Sequence, residues 1–177
     1  MEGPEKTRVQ FSVETDCAFC GWSGSSRHFT PLPASLTRLQ KQHESILEAT
    51  HALMRSVKEN NRTRDSKSFM SGSVTIRYCN LVGKLVADHQ REEERVLIPI
   101  VDEYLDSTAS DSIRREHQEI LEAVQRLNGK LTRVYRPAQD ESRGAAFKLA
   151  SDFEVLAREH FSHEENVIYW FVSLYLP

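Results

Sequence analysis

The sequence predicts an all-α protein, an up-down-up-down four-helix bundle preceded by an irregular N-terminal arm. Three observations lead there. After Pro33, apolar residues recur at alternating steps of three and four along four long stretches. Turn-rich breaks at residues 60–73, 105–110 and 136–144 separate those stretches. Finally, each stretch carries one histidine on its apolar seam, and the four histidines fall at one height when the stretches are folded antiparallel.

Residues 1–34 contain three glycines and three prolines and show no sustained helical period, so they are assigned to the arm and residues 35–177 to the bundle. The first helix has the seam Leu36, Leu39, His43, Ile46, Thr50, Leu53, Val57. In the second, Val82, Val86, His89, Glu93, Val96 and Ile100 share a face, and Pro99 is expected to kink or end the helix. The third runs Ile113, His117, Ile120, Val124, Leu127, Leu131, Val134. The fourth runs Leu149, Phe153, Leu156, His160, Glu164, Val167, Phe171, Leu174.

In antiparallel neighbours, two residues at one height are equally far from the turn between them. The midpoint of His43 and His89 is residue 66, that of Glu93 and His117 is residue 105, and that of His117 and His160 lies near residue 138; all three fall in the turn-rich breaks. At ~1.5 Å rise per residue the outer helices place the layer roughly 24 Å from their turns, in mid-bundle and not at a frayed end.

Composition excludes several classes. At 177 residues, 39% apolar and 28% charged, the chain suits one domain with a substantial core. A net charge of −3, a pI of about 6.2 and the lack of a basic cluster give no footprint for nucleic acid or an anionic membrane. The opening MEGPEKTRVQFSVETD has no apolar core of a signal peptide, and no run of 18 apolar residues exists, so a cytoplasmic protein that spans no membrane is expected. Three cysteines do not make a disulfide framework.

Two of the seam histidines are followed four residues later by a glutamate, Glu93 after His89 and Glu164 after His160. Residues i and i+4 share a helical face, so both side chains of each pair can reach one ion or a pair of ions. A lone histidine on an apolar face is more often a satisfied core residue, and a glutamate beside it is usually solvated. Four imidazoles and two carboxylates in one layer are costly to bury without a cation. Nitrogen-rich ligation with carboxylates suits iron, manganese or zinc, and six donors exceed the four of a structural zinc, which points to two ions.

The segments HQREEERVLIP (89–99) and HFSHEENVIY (160–169) resemble the two His-x-x-x-Glu segments of hemerythrin-like, or HHE cation-binding, domains, and the resemblance covers about residues 35–174. It implies a bundle holding a non-haem di-iron centre, two oxo- or hydroxo-bridged irons, with manganese or zinc as alternatives. His43 and His89 would ligate one iron, His117 and His160 the other, and Glu93 and Glu164 would bridge them. One departure stands out. Oxygen-carrying hemerythrins have a second histidine one turn after the third-helix ligand, where this chain has Leu121. Glu92 and His163, beside the cage faces, are candidates for a further ligand or for a group that orients one; water is the other. His51, one step off its seam, is expected to be exposed.

The resemblance implies a protein that binds or senses iron and small ligands such as dioxygen, nitric oxide or peroxide. Leu121 in place of histidine favours sensing or reactive handling of such ligands over reversible oxygen carriage. The alternatives are an enzyme acting on nitric oxide or peroxide, an iron–sulfur cluster repair protein, and a structural protein with a vestigial cage.

Cys17 and Cys20 form a lone Cys-x-x-Cys in the arm, short of a zinc knuckle's four ligands and read first as ordinary thiols. Residues 166–177, NVIYWFVSLYLP, are apolar around most of the helix, so the arm or a second copy is expected to cover them; monomer and homodimer both fit.

Overall fold

The computed structural model describes residues 34–62, 68–104, 107–135 and 143–173. The arm with Cys17 and Cys20, and Leu174 of the fourth seam, lie outside the described residues. The elements are α1 (Ala34–Arg62), α2 (Ser68–Val96), α3 (Ile98–Tyr104), α4 (Ser107–Val134), α5 (Arg143–His163), a π-helical turn (Glu164–Ile168) and α6 (Tyr169–Ser173). The described residues contain no strand, and none of their helices is long and apolar enough to cross a membrane.

The four long helices form a closed ring in which α1 packs on α2 and α5, and α4 packs on the same two. Neighbours run antiparallel. Asn60 bonds Thr75 near the first turn while His43 meets His89 further along. In the same way Asn128 bonds Asn80 and Gln90 bonds the carbonyl of His117. This is the four-helix bundle that the spacing predicts.

The connections are tighter than the turn-rich breaks suggest, because α1 continues to Arg62 and α2 begins at Ser68. Polar residues there are satisfied across the helix pair: Ser56 and Asn60 both hydrogen-bond the Thr75 hydroxyl at 2.6 Å. The Asn60 side chain therefore sits buried within a helix, where composition alone suggests a loop.

The seams of α1 and α4 are buried at every predicted position. The other two need correction. In the second helix Val96 and Ile100 are only partly buried, and Leu97, Ile98 and Val101 take the core. Pro99 has no N–H to continue the helix, so the chain breaks at Leu97 and resumes as α3, with Ile100 and Val101 bonding the Leu97 carbonyl at 3.0 Å. In the fourth, Ala146, Ala150, Phe153 and Ala157 are buried, with Leu149 and Leu156 on the flanks. Small alanines let α5 approach its neighbours closely. Beyond Glu164 the buried residues are Ile168, Tyr169 and Val172, whereas Val167 is 50% exposed.

That shift has a specific cause. The Tyr169 N–H bonds the Glu164 carbonyl, five residues back, so the π turn inserts one residue and rotates everything after it.

The core is divided into two apolar clusters. The larger runs from Ile46 to Val57 on α1 and includes Val86, Ile120, Leu127, Phe153 and Phe161. The smaller, at the opposite end, contains Leu36, Leu39, Leu97, Ile98, Val101, Ile113, Ile168, Tyr169 and Val172. Between them lie the buried polar residues His43, His89, Glu93, His117, His160 and Glu164.

Candidate metal centre

Each of the four long helices delivers one imidazole to this layer. His43 Nε2 and His89 Nε2 are 3.0 Å apart, and the rings of His117 and His160 meet edge-on with centroids 5.0 Å apart. The two glutamates link the pairs. Glu93 Oε2 lies 3.3 Å from His89 Nε2 and 3.0 Å from His117 Nε2. Glu164 presents Oε2 at 3.2 Å from His43 Nε2 and Oε1 at 3.2 Å from His160 Nε2.

Two overlapping donor sets result: His43, His89, Glu93 and Glu164, and His117, His160, Glu93 and Glu164. Within each set one donor atom per residue lies within 4.8 Å of all the others. Donors bound to one ion at ~2.1 Å stand about 3 Å apart when adjacent and about 4.2 Å apart when opposite, so each set has the span of a single ion's shell.

The layer also has the unsatisfied atoms that a cation would complete. Glu93 Oε2, both oxygens of Glu164, and Nε2 of His117 and His160 are buried without a hydrogen-bond partner. Left so, each costs about 1–3 kcal/mol. The residues present fit a bound metal.

A second ring of contacts fixes the imidazoles from outside. Glu165 Oε1 lies 2.7 Å from His43 Nδ1, Gln42 Oε1 3.0 Å from His89 Nδ1, and Glu116 Oε2 2.8 Å from His160 Nδ1. Each acceptor takes the Nδ1 proton and leaves the Nε2 lone pair facing inward, as metal-binding histidines require. His117 differs: its Nδ1 has only Glu94 Oε1 at 4.0 Å, while Gln90 holds its backbone carbonyl at 3.0 Å.

The electrostatics of these side chains match a site meant for positive charge. Burial, reinforced by the neighbouring His43, pushes His89 down to about 3, so it is a neutral donor at any physiological pH. Burial opposes charge on His117 as well, but the adjacent carboxylates of Glu164 and Glu93 outweigh it and bring its pKa up to about 9. Burial and the facing carboxylate of Glu164 raise Glu93, and the surrounding histidines hold Glu164 well below the usual carboxylate range against the effect of burial. Burial likewise works against the Glu116 carboxylate, yet His160 and His163 hold it at about 2.

Aromatic rings close the layer. Phe161 stacks on His43 with centroids 4.1 Å apart and meets His89 edge-on at 5.6 Å. From the smaller cluster, Tyr169 places its hydroxyl 3.0 Å from Glu93 Oε1, to which it donates, and 3.2 Å from His43 Nε2. On the other side, a surface cavity of about 260 Å³ has His160 in its wall, with Glu116, Leu156, Glu159 and His163.

All six of the core ligand candidates are therefore brought together. Glu92 is not: it pairs with Arg38 and, at 2.8 Å, with Arg95 on the surface. His163 stands outside the layer with 43% of its side chain exposed, 3.6 Å from the Glu116 oxygen that holds His160. Leu121 packs against the larger apolar cluster. His51 is exposed and pairs with Glu154 and Arg158 at the surface.

Sequence reasoning missed Gln42, Glu116, Glu165 and Tyr169. At ~100° per residue, Tyr169 falls roughly 140° from Glu164 on a regular helix, so periodicity directs it away from the layer. The π turn removes most of that angle, and no spacing signal announces it. The paired acidic residues Glu164 and Glu165 were the one available hint, since a second carboxylate beside a ligand is a common outer partner.

A comparison with curated proteins finds no match. The family model of the hemerythrin HHE cation binding domain matches residues 34–171, a span that begins with α1 and contains every residue of the two donor sets. With the bundle, the layer of histidines and the shared carboxylates already in place, the chain belongs to the hemerythrin HHE cation-binding domain family.

Proposed function

We propose that the protein is a non-haem di-iron protein that binds or senses iron and small ligands such as dioxygen or nitric oxide. The observation that supports this reading is that Glu93 and Glu164 belong to both donor sets, an arrangement that serves two adjacent ions and is superfluous for one. Imidazole and carboxylate donors without thiolate favour iron, with manganese or zinc as competitors.

His43 and His89 would hold one ion, His117 and His160 the other, and Glu93 and Glu164 would lie between them. A bound iron pair supplies redox capacity and an open position for a diatomic ligand. The chain does the rest. Glu165, Gln42 and Glu116 hold three imidazoles in their donor orientation, Phe161 and the two apolar clusters exclude water, and Leu121 adds no donor beside His117. The cavity with His160 in its wall adjoins the position that His117 and His160 would hold.

The test is anaerobic loading of the full chain with ferrous iron, followed by metal counting and optical spectra before and after dioxygen, nitric oxide and peroxide. Two ions per chain and a spectrum that changes with a diatomic ligand are expected. Well under one ion per chain would instead indicate a vestigial cage. A second reading, an enzyme that consumes nitric oxide or peroxide, draws on the same cavity; sustained turnover in place of stoichiometric binding would favour it.

A further inference from the structure

The donor sets above leave out a buried side-chain oxygen that contacts two of their members. Tyr169 is fully buried, and its hydroxyl contacts Glu93 Oε1 at 3.0 Å and His43 Nε2 at 3.2 Å. We propose that Tyr169 is a further ligand, a phenolate oxygen bound to the ion held by His43 and His89. The inference rests on the two-ion reading of the cage.

Three observations carry it. First, the distances: His43 Nε2 is 3.0 Å from His89 Nε2, 3.2 Å from Glu164 Oε2 and 3.2 Å from the Tyr169 hydroxyl. Bonds of ~2.1 Å to one ion put neighbouring donors about 3 Å apart, so the phenol oxygen occupies the same kind of position as the other donors. Glu93 Oε1, at 3.9 Å from His43 Nε2, has the longer separation of a donor on the opposite side.

Second, the backbone departs from a regular helix in order to place this ring. The π turn lies between Glu164 and Tyr169, and without its extra residue the phenol would turn away from Glu93. Third, the hydroxyl is buried among imidazole and carboxylate donors, and its contacts are two of those same groups, Glu93 and His43.

Ligation breaks the phenol O–H bond, forms an Oη–metal bond and releases the proton to solvent; no electron is transferred. The phenolate adds a hard, negative donor, which favours the ferric over the ferrous ion. It also makes the two positions unequal. The position of His43 and His89 would gain a donor, whereas the position of His117 and His160, on the side of the cavity, would gain none.

The test uses the full chain loaded with iron and oxidised to the ferric state. The wild-type protein should show a visible phenolate-to-iron charge-transfer band, with tyrosine ring modes enhanced in resonance Raman spectra excited within it. Tyr169→Phe should lose both signatures while still binding two ions, and its iron should reduce at a higher potential. If the wild type binds two ferric ions but shows no phenolate ring modes, Tyr169 is not a ligand, although the two-ion reading stands. If it binds no iron pair, the reading beneath the inference fails first. The Raman measurement on the unaltered chain decides the matter even where the phenylalanine variant is poorly folded.

Discussion

Glu116 Oε2 stands 2.8 Å from His160 Nδ1 and 3.6 Å from His163 Nδ1, so one carboxylate on α4 orients a cage imidazole on α5 while facing a second histidine at the surface. The pairing explains why Glu116 keeps its charge while partly buried, and it ties the wall of the cavity to the metal layer.

Replacing that carboxylate should loosen the imidazole without removing it. Glu116→Ala is expected to weaken metal binding at the His117 and His160 position by about 10–100-fold, the usual cost of losing an outer hydrogen-bond partner. Glu116→Gln, which keeps an acceptor oxygen, should lose much less. Competition with a calibrated chelator measures both, and equal affinities for all three proteins would exclude the orienting role.

Shared and unshared ligands should differ in stoichiometry. His160 belongs to one donor set, so His160→Ala should retain one ion per chain; Glu164 belongs to both, so Glu164→Ala should lose both. Metal analysis after gel filtration distinguishes them. A Glu164→Ala protein that keeps two ions would mean the carboxylate is not a bridge.

Cys79 is fully buried in the larger cluster, and burial pushes its thiol up to about 12 from an ordinary 9.0. Because the folded pKa is the higher, the contribution of the neutral thiol to stability is complete below pH 9 and is lost as pH rises from 9 toward 12. Denaturant melts over this window should fall more steeply for the wild type than for Cys79→Ala. At pH 8 a thiol reagent should leave Cys79 unmodified until the chain is unfolded.

Gly72 on α2 is packed against Tyr135 at the end of α4: a Cβ at residue 72 would lie 2.7 Å from the ring atom Cγ. Gly72→Ala gains about 1 kcal/mol of helix propensity but forces the ring to move, a cost of about 1–3 kcal/mol. A net loss of stability is expected in thermal melts. A melting temperature above the wild type's would show that Tyr135 yields freely.

Much of the bundle was legible because its signals are local and repeated. The seams of α1 and α4 are unbroken runs of apolar residues at helical spacing, and every one of their predicted positions is buried. His43, His89, Glu93, His117, His160 and Glu164 were legible for a different reason: antiparallel folding converts distance from a turn into height, so their common level follows from counting. Val96, Ile100, Val167 and Phe171 were misplaced because each lies at or beyond a local irregularity, the break at Leu97 or the π turn at Glu164–Ile168. One residue of slip rotates all that follows by ~100°, and hydrophobic spacing in a segment as uniformly apolar as NVIYWFV does not register it.

The sequence by itself determined four helices, their order and one level of nitrogen and oxygen donors, since helical period and turn position depend only on neighbours along the chain. Which nitrogen of each imidazole faces inward, that Glu165 and Glu116 hold two of them in place, and that Tyr169 reaches Glu93 were decided by tertiary structure alone. Those relationships join residues on different helices through hydrogen bonds whose geometry exists only after packing, and the last of them also needs a turn of π-helix that spacing does not encode.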